Sequence, residues 1–137
     1  MYLKPTLFLI FLFSSSYASA QQITASPEIR EIKSFGHWGT DDYEGNYRIV
    51  IINKGFEHVS RNVYIEWISS DNETYKTVKS ILVSEVSGFY SVRIKKVDSN
   101  KAVLYLVDSH SFEKSEVEIE PTELGKYKAN SISSCGF

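Results

Sequence analysis

The sequence predicts an all-β fold, an antiparallel two-sheet sandwich with about seven or eight strands. Three observations support this prediction. Hydrophobic residues recur with a period close to two rather than 3.6. Turn-forming residues separate the apolar runs at short intervals. No stretch carries a capped helical pattern longer than about two turns.

The first half of the chain contains four of the predicted strands. Residues 28–33 are a weaker candidate, whereas residues 47–52 are apolar on nearly both faces, as is typical of a central strand. Residues 63–68 place valine, isoleucine and tryptophan on one face, and residues 75–86 form a β-branched and aromatic run. Turn-forming residues follow two of these strands, at positions 53–55 and 70–73.

The second half contains the other four. Residues 89–97 follow a Ser-Gly turn and form another β-branched and aromatic run, and residues 103–107 are apolar on nearly both faces. Residues 115–120 alternate strictly, with glutamates on one face. Pro121 should end that strand, because proline cannot donate a ladder hydrogen bond. Residues 126–132 complete the set as a weaker candidate.

Residues 1–20 have the features of a secretory signal peptide. Lys4 gives a positive start, residues 7–13 form an unbroken apolar stretch, and residues 18–20 read Ala-Ser-Ala, which a signal peptidase accepts. The apolar stretch is too short to cross a bilayer, which needs about 20 residues. We therefore expect cleavage before Gln21 and an exported protein, periplasmic or extracellular, without a membrane span.

Residues 21–137 should form a single domain. With Lys4 removed, 14 basic residues stand against 17 acidic ones, so the net charge changes from −2 to −3. A chain without a basic surplus is not expected to bind nucleic acid. The single cysteine excludes an internal disulfide and a cysteine-built zinc site. No nucleophile elbow, zinc-binding histidine pair or phosphate-binding glycine loop is present, so we expect no catalytic residue and no cofactor.

Residues 123–129 (ELGKYKA) resemble the D-x-G-x-Y-x-C corner of immunoglobulin-like domains. The resemblance implies an immunoglobulin-like sandwich without its disulfide. It implies that the Tyr127 hydroxyl bonds to upstream backbone, and that Trp67 is the core tryptophan. Ile52 and Ala129 would occupy the places of the two core cysteines.

The chain departs from that pattern in two ways. Glu123 replaces the usual aspartate, and only ten residues follow Tyr127. Either the final strand is missing, or Tyr127 lies on the last strand and the sandwich has another topology.

Residues 35–47 (FGHWGTDDYEGNY) are the least core-like stretch and the candidate site. Trp38 and Tyr43 could stack on a sugar ring. The flanking carboxylates of Asp41, Asp42 and Glu44 could accept hydrogen bonds from its hydroxyl groups. Alternatively, His37 and the carboxylates could coordinate a hard cation. The interpretation we favour is a connecting loop whose Trp38 folds back onto the sandwich while the acidic residues stay solvated.

Three functions remain open at this point. The first is an exported, non-catalytic binding module for a protein or glycan partner, because loops on a rigid β scaffold commonly carry binding. The second is a periplasmic inhibitor or immunity protein, since an acidic domain is attracted to basic cell-envelope enzymes. The third is a metal-dependent enzyme built on the loop with His37, Asp41 and Asp42.

Overall fold

Two four-stranded antiparallel sheets make up the part of the chain that the computed structural model describes, which is residues 28–55, 60–71, 74–89 and 91–132. Sheet A contains β1 (Ile29–Gly39), β2 (Glu44–Lys54), β3 (Ser60–Asp71) and β4 (Thr74–Leu82), in that spatial order. Sheet B contains β5 (Ser91–Asp98), β6 (Lys101–Val107), β7 (Lys114–Pro121) and β8 (Tyr127–Ile132), also in sequence order. The predicted signal peptide, residues 1–20, lies outside the described residues.

The predicted all-β, two-sheet fold is confirmed, and each of the eight predicted runs contains a strand. The strand boundaries differ from the prediction most in two regions. β4 ends at Leu82, and a single 3₁₀ turn, Ser84–Val86, begins the connection to sheet B. β1 and β2 are longer than predicted, so the loop expected over residues 35–47 shrinks to residues 40–43.

The strand order separates this sandwich from immunoglobulin domains. There, the chain passes repeatedly between the two sheets in Greek-key connections. Here the first four strands are neighbours in one sheet and the last four are neighbours in the other. Among the described residues, the chain shares the two-layer architecture with that family but follows a simple meander within each sheet. Tyr127 lies on β8, the last strand described.

One core lies between the two sheets, because alternate residues of the central strands point inward. From β2 the core receives Tyr47, Ile49 and Ile51, and from β3 it receives Val63, Ile65 and Trp67. Sheet B contributes inward-facing residues of β5, β6 and β7 to the same cluster. Trp67 is fully buried, and the ring of Tyr47 meets it edge-on at a centroid distance of 6.0 Å. Such an edge-to-face pair adds about 1 kcal/mol to the stability gained from burial alone.

Tyr127 ties sheet B to the connection between the sheets. Its hydroxyl donates to Oε2 of Glu85, in the 3₁₀ turn, at 2.5 Å. In the immunoglobulin corner the tyrosine bonds to upstream backbone, whereas here the acceptor is a side-chain carboxylate 42 residues away. The bond therefore links β8 of sheet B to the segment that joins the two sheets.

This hydrogen bond contributes to a pKa shift in both side chains. The bond from Tyr127 holds the pKa of Glu85 below its ordinary 4.5, so Glu85 contributes stability that is fully present above pH 4.5 and is lost as pH falls through the folded pKa. Burial, and then the bond to Glu85, raise the pKa of Tyr127 above its ordinary 10.0. That contribution is fully present below pH 10.0 and is lost as pH rises through the folded pKa.

We expect Tyr127→Phe to lower the free energy of unfolding by about 1 kcal/mol at neutral pH, since the bond is charge-assisted but largely solvent-exposed. The difference from wild type should shrink below pH 4.5 and above pH 10.0. Urea denaturation across this range measures it. Tyr75→Phe is the control, because Tyr75 is exposed on the edge strand β4. A loss that is the same at every pH would contradict the assignment.

Among the described residues, no helix has the length and apolar character that a membrane crossing requires.

Candidate functional site

Most of the predicted loop is strand, and only residues 40–43 form a turn between β1 and β2. The Thr40 hydroxyl accepts hydrogen bonds from the amides of Asp42 at 3.3 Å and Tyr43 at 3.1 Å. The Thr40 amide donates to the Tyr43 carbonyl at 2.7 Å. These bonds close the turn on itself and leave the side chains of Asp41, Asp42 and Tyr43 exposed.

Trp38 belongs to the core and not to the exposed turn. Its side chain is only 5% exposed, and its indole Nε1 donates to the carbonyls of Asn46 at 3.0 Å and Ile68 at 3.2 Å. Little of the ring is therefore accessible to a sugar. This burial does not favour the stacking role predicted for Trp38, and it agrees with the interpretation in which Trp38 folds back onto the sandwich.

A β-bulge explains how Trp38 reaches the core. Phe35 and Trp38 are three residues apart, so strict alternation would place them on opposite faces of the sheet. In β1, Gly36 and His37 together lie opposite a single residue of β2, which returns Trp38 to the inner face. Gly36 has a φ of 59°, and the side-chain oxygen of Asn100 accepts a hydrogen bond from the His37 amide at 3.0 Å.

Gly45 allows β3 to approach β2 closely beside the indole. It is the residue of β2 paired with Trp38, and a Cβ atom on it would lie 1.8 Å from the carbonyl oxygen of Ile68. The same oxygen accepts a hydrogen bond from the indole. A glycine at this position is therefore required by the close approach of β3 and not by an unusual φ.

The exposed acidic residues of the turn, Asp41 and Asp42, lie beside a groove at one end of sheet A. The turn at residues 40–43 forms one wall, and the hairpin between β3 and β4 forms the other. The Thr74 hydroxyl donates to the Asp71 carbonyl at 2.7 Å and so holds that hairpin. The groove has a volume of about 460 Å³, within the range of small-molecule and side-chain binding sites.

The groove is strongly acidic. One basic residue, Lys76, and four acidic residues line it. The carboxylates belong to Asp41, Asp42, Glu44 and Asp71. Four negative charges against one positive charge give a local net charge of −3. Carboxylates on the two walls of one concave site reinforce each other's field, so a cationic group is the complementary ligand.

Ser69 adds a polar group to the lining of the groove. It is the one buried polar residue in the described part of the chain, at 5% exposed, and it lines the groove. A hydroxyl can both donate and accept hydrogen bonds, so Ser69 offers a polar contact to a ligand in the groove.

The structure does not gather the metal ligands that the sequence suggested. His37 is exposed within the bulge of β1, before the turn that carries Asp41 and Asp42. Within residues 28–55, 60–71, 74–89 and 91–132, no group of three or more histidine, cysteine, aspartate or glutamate side chains could hold an ion. His37, Asp41 and Asp42 are therefore not a ligand set.

The immunoglobulin resemblance assigned core positions to three residues, and the structure places two of them in or against the core. Trp67 is fully buried in the core, and Ala129 of β8 packs against the same core. Ile52 is not a core residue, because the inward positions at this end of β2 are Ile49 and Ile51. Ile52 points to the outer face of sheet A, so it does not occupy the place of a core cysteine.

Sequence reasoning found only one wall of the groove. It missed Ser69, Asp71 and Thr74, which come from the far side of sheet A. A signal was available, because turns that join the first and second strands and the third and fourth strands of a meander lie at the same end of the sheet. The sequence predicted both turns but not that all four strands share one sheet.

Comparisons of this chain with known protein families, with curated protein sequences and with solved structures gave no match.

Proposed function

We propose that this protein is an exported binding module that captures a basic segment of a protein partner in the acidic groove at the end of sheet A. The observation that carries the proposal is that four acidic residues, from one turn and from the adjoining ends of two strands, line one concave site. Lysine and arginine side chains fit such a site because they bring both positive charge and hydrogen-bond donors. The hydroxyl of Ser69, which lines the groove, could accept one of those hydrogen bonds.

A protein partner suits the groove better than a glycan. Sugar binding usually relies on an exposed aromatic face, and Trp38 is buried. Tyr43 is the one aromatic side chain that lines the groove. Negative charge, in contrast, is abundant in the groove. It speeds association with a basic partner, and the resulting binding weakens as salt is added.

The first test is calorimetric titration of residues 21–137 with a decapeptide of alternating lysine and glycine. We expect binding that weakens steadily with added salt. The double variant D41N/D42N should bind about tenfold more weakly at low salt, since each lost charge costs about 0.7 kcal/mol at an exposed site. Both side chains are exposed, and neither forms an ion pair with another residue in the described part of the chain, so the fold should be unchanged.

A matched variant separates the groove from net charge. D98N/E113Q removes two negative charges at exposed positions that do not line the groove. It should bind the peptide nearly as well as wild type. Equal weakening by the two double variants would contradict the groove as the binding site, and so would tight binding of a neutral glycan in an array that D41N/D42N leaves unchanged.

The inhibitor or immunity role is the special case in which the basic partner is an enzyme of the cell envelope. The acidic groove favours it, because an inhibitor gains association rate from a field opposite to that of its target. Under this role, the purified domain suppresses a basic cell-wall hydrolase at near-equal molar ratio, and D41N/D42N suppresses it less. Undiminished hydrolase activity would remove the inhibitor role and leave the binding module.

A further inference from the structure

The outer faces of the two sheets, which point away from the shared core, are chemically different. The outer face of sheet B carries ion pairs between its strands. Lys95 pairs with Glu116, and Lys101 pairs with Glu118 at 3.1 Å, across strands β5, β6 and β7. This is the usual character of a face that meets water, and such charges discourage association.

Sheet A instead carries an apolar row across all four of its strands. Each member is the cross-strand partner of the next, in the order Ile32, Val50, Tyr64, Leu82. None of the four belongs to the core cluster. Ile32 is 49% exposed and Leu82 is 43% exposed, so the row ends in two solvent-facing aliphatic side chains. Between them, Tyr64 is partly exposed and Val50 is only 8% exposed, so the solvent-facing apolar surface lies mainly at the two ends of the row. Exposed apolar side chains that join into one patch can form an interaction surface.

The next row along the same face is polar and internally neutral. Arg48 and Glu66 are cross-strand partners, and their charged groups meet at 2.6 Å. Ser80 of β4 donates to the other carboxylate oxygen of Glu66 at 3.2 Å. A surface with an apolar row beside one cation and one anion is self-complementary under a two-fold rotation. The apolar row of one copy meets the apolar row of the other. The cation of each copy meets the anion of the other.

We propose that the outer face of sheet A packs against the same face of a second copy of this chain. Four strands about 4.8 Å apart and about ten residues long give a face of about 600 Å². Two such faces bury about 1,200 Å², the lower end of the range for specific interfaces. The expected product is a weak dimer with a dissociation constant of about 10–100 µM. The groove residues lie in the turn at residues 40–43 and at the neighbouring strand ends, away from the apolar row on which the proposed contact is centred.

Sedimentation equilibrium of residues 21–137 between about 5 and 500 µM tests the proposal. We expect a monomer–dimer equilibrium in wild type and at least about a tenfold increase in the dissociation constant in the double variant I32K/L82K. L124K is the matched control, because Leu124 is 42% exposed but lies in the turn between β7 and β8. Circular dichroism verifies that each variant is folded.

Charge reversal supplies a second, independent arm. R48E makes the face acidic and E66R makes it basic, so each variant alone should be monomeric, while an equimolar mixture should associate. A monomer at all concentrations in wild type would overturn the proposal. So would a dimer that I32K/L82K leaves unchanged, or a mixture of R48E and E66R that stays monomeric while wild type dimerises. Neither Ile32 nor Leu82 lines the groove, so these outcomes leave peptide binding by the groove unaffected.

Discussion

Replacing Gly45 with alanine is expected to cost about 3 kcal/mol or more and to leave little folded protein at 37 °C. The added Cβ would lie 1.8 Å from the carbonyl oxygen of Ile68 and 2.9 Å from its carbonyl carbon. These are backbone atoms of the neighbouring strand, so no side chain can rotate away to relieve the contact. Relief requires β2 and β3 to separate where they pair, and the hydrogen bond from Trp38 to that carbonyl would be lost with it.

Gly39→Ala is the matched control for this variant. Gly39 lies at the end of β1, and the nearest atom to an added Cβ would be the Tyr43 carbonyl oxygen at 3.8 Å, an ordinary contact. Alanine there should be neutral or slightly stabilising, because it restricts the unfolded chain. Urea denaturation of the two variants measures the difference. If Gly45→Ala and Gly39→Ala unfold at the same urea concentration, the close approach around Trp38 is contradicted.

Trp67→Ala should lower the free energy of unfolding by about 3–5 kcal/mol. Trp67 is the largest of the fully buried side chains and lies in the middle of β3, with partners on both neighbouring strands. Its removal leaves a cavity between the sheets and also removes the edge-to-face contact with Tyr47. Because typical domains are stable by about 5–15 kcal/mol, this single change removes a large share of the total.

Tyr75→Ala is the comparison for the tryptophan variant. Tyr75 is also a large aromatic on a strand of sheet A, but it is the most exposed of the large hydrophobic residues described. Its removal should change the free energy of unfolding by less than about 0.5 kcal/mol. Chemical denaturation monitored by far-ultraviolet circular dichroism reports both values. A loss below about 1 kcal/mol for Trp67→Ala would contradict its place in the core.

The strands could be predicted because their signal is local. Residues 103–107 and 115–120 show the alternation or apolar run of a strand within a few residues, and both become strands. The partners of each strand could not be predicted in the same way. Which strands share a sheet depends on contacts between distant segments, so a resemblance over residues 123–129 suggested immunoglobulin-like connections that the meander does not have.

The candidate site was predicted in part for the same reason. The exposed turn with Asp41 and Asp42 follows from local composition, and the structure places both side chains in solvent. The burial of Trp38 depends on a bulge and on a hydrogen bond to the Ile68 carbonyl, whose close approach requires glycine at position 45. Neither feature changes the local pattern of hydrophobicity. The second wall of the groove, with Asp71, requires the long-range pairing of four strands.

Chemical-shift mapping is the most direct test of the central claim, that this sandwich binds a basic partner through the groove between its two turns. Nitrogen-15-labelled residues 21–137 would be titrated with the lysine–glycine decapeptide, with a serine–glycine decapeptide as the neutral control. The expected result is a set of salt-sensitive shifts confined to residues 40–44, 69–71 and 74–76. Shifts spread evenly over the acidic residues of both sheets, or no shift at millimolar peptide, would contradict it.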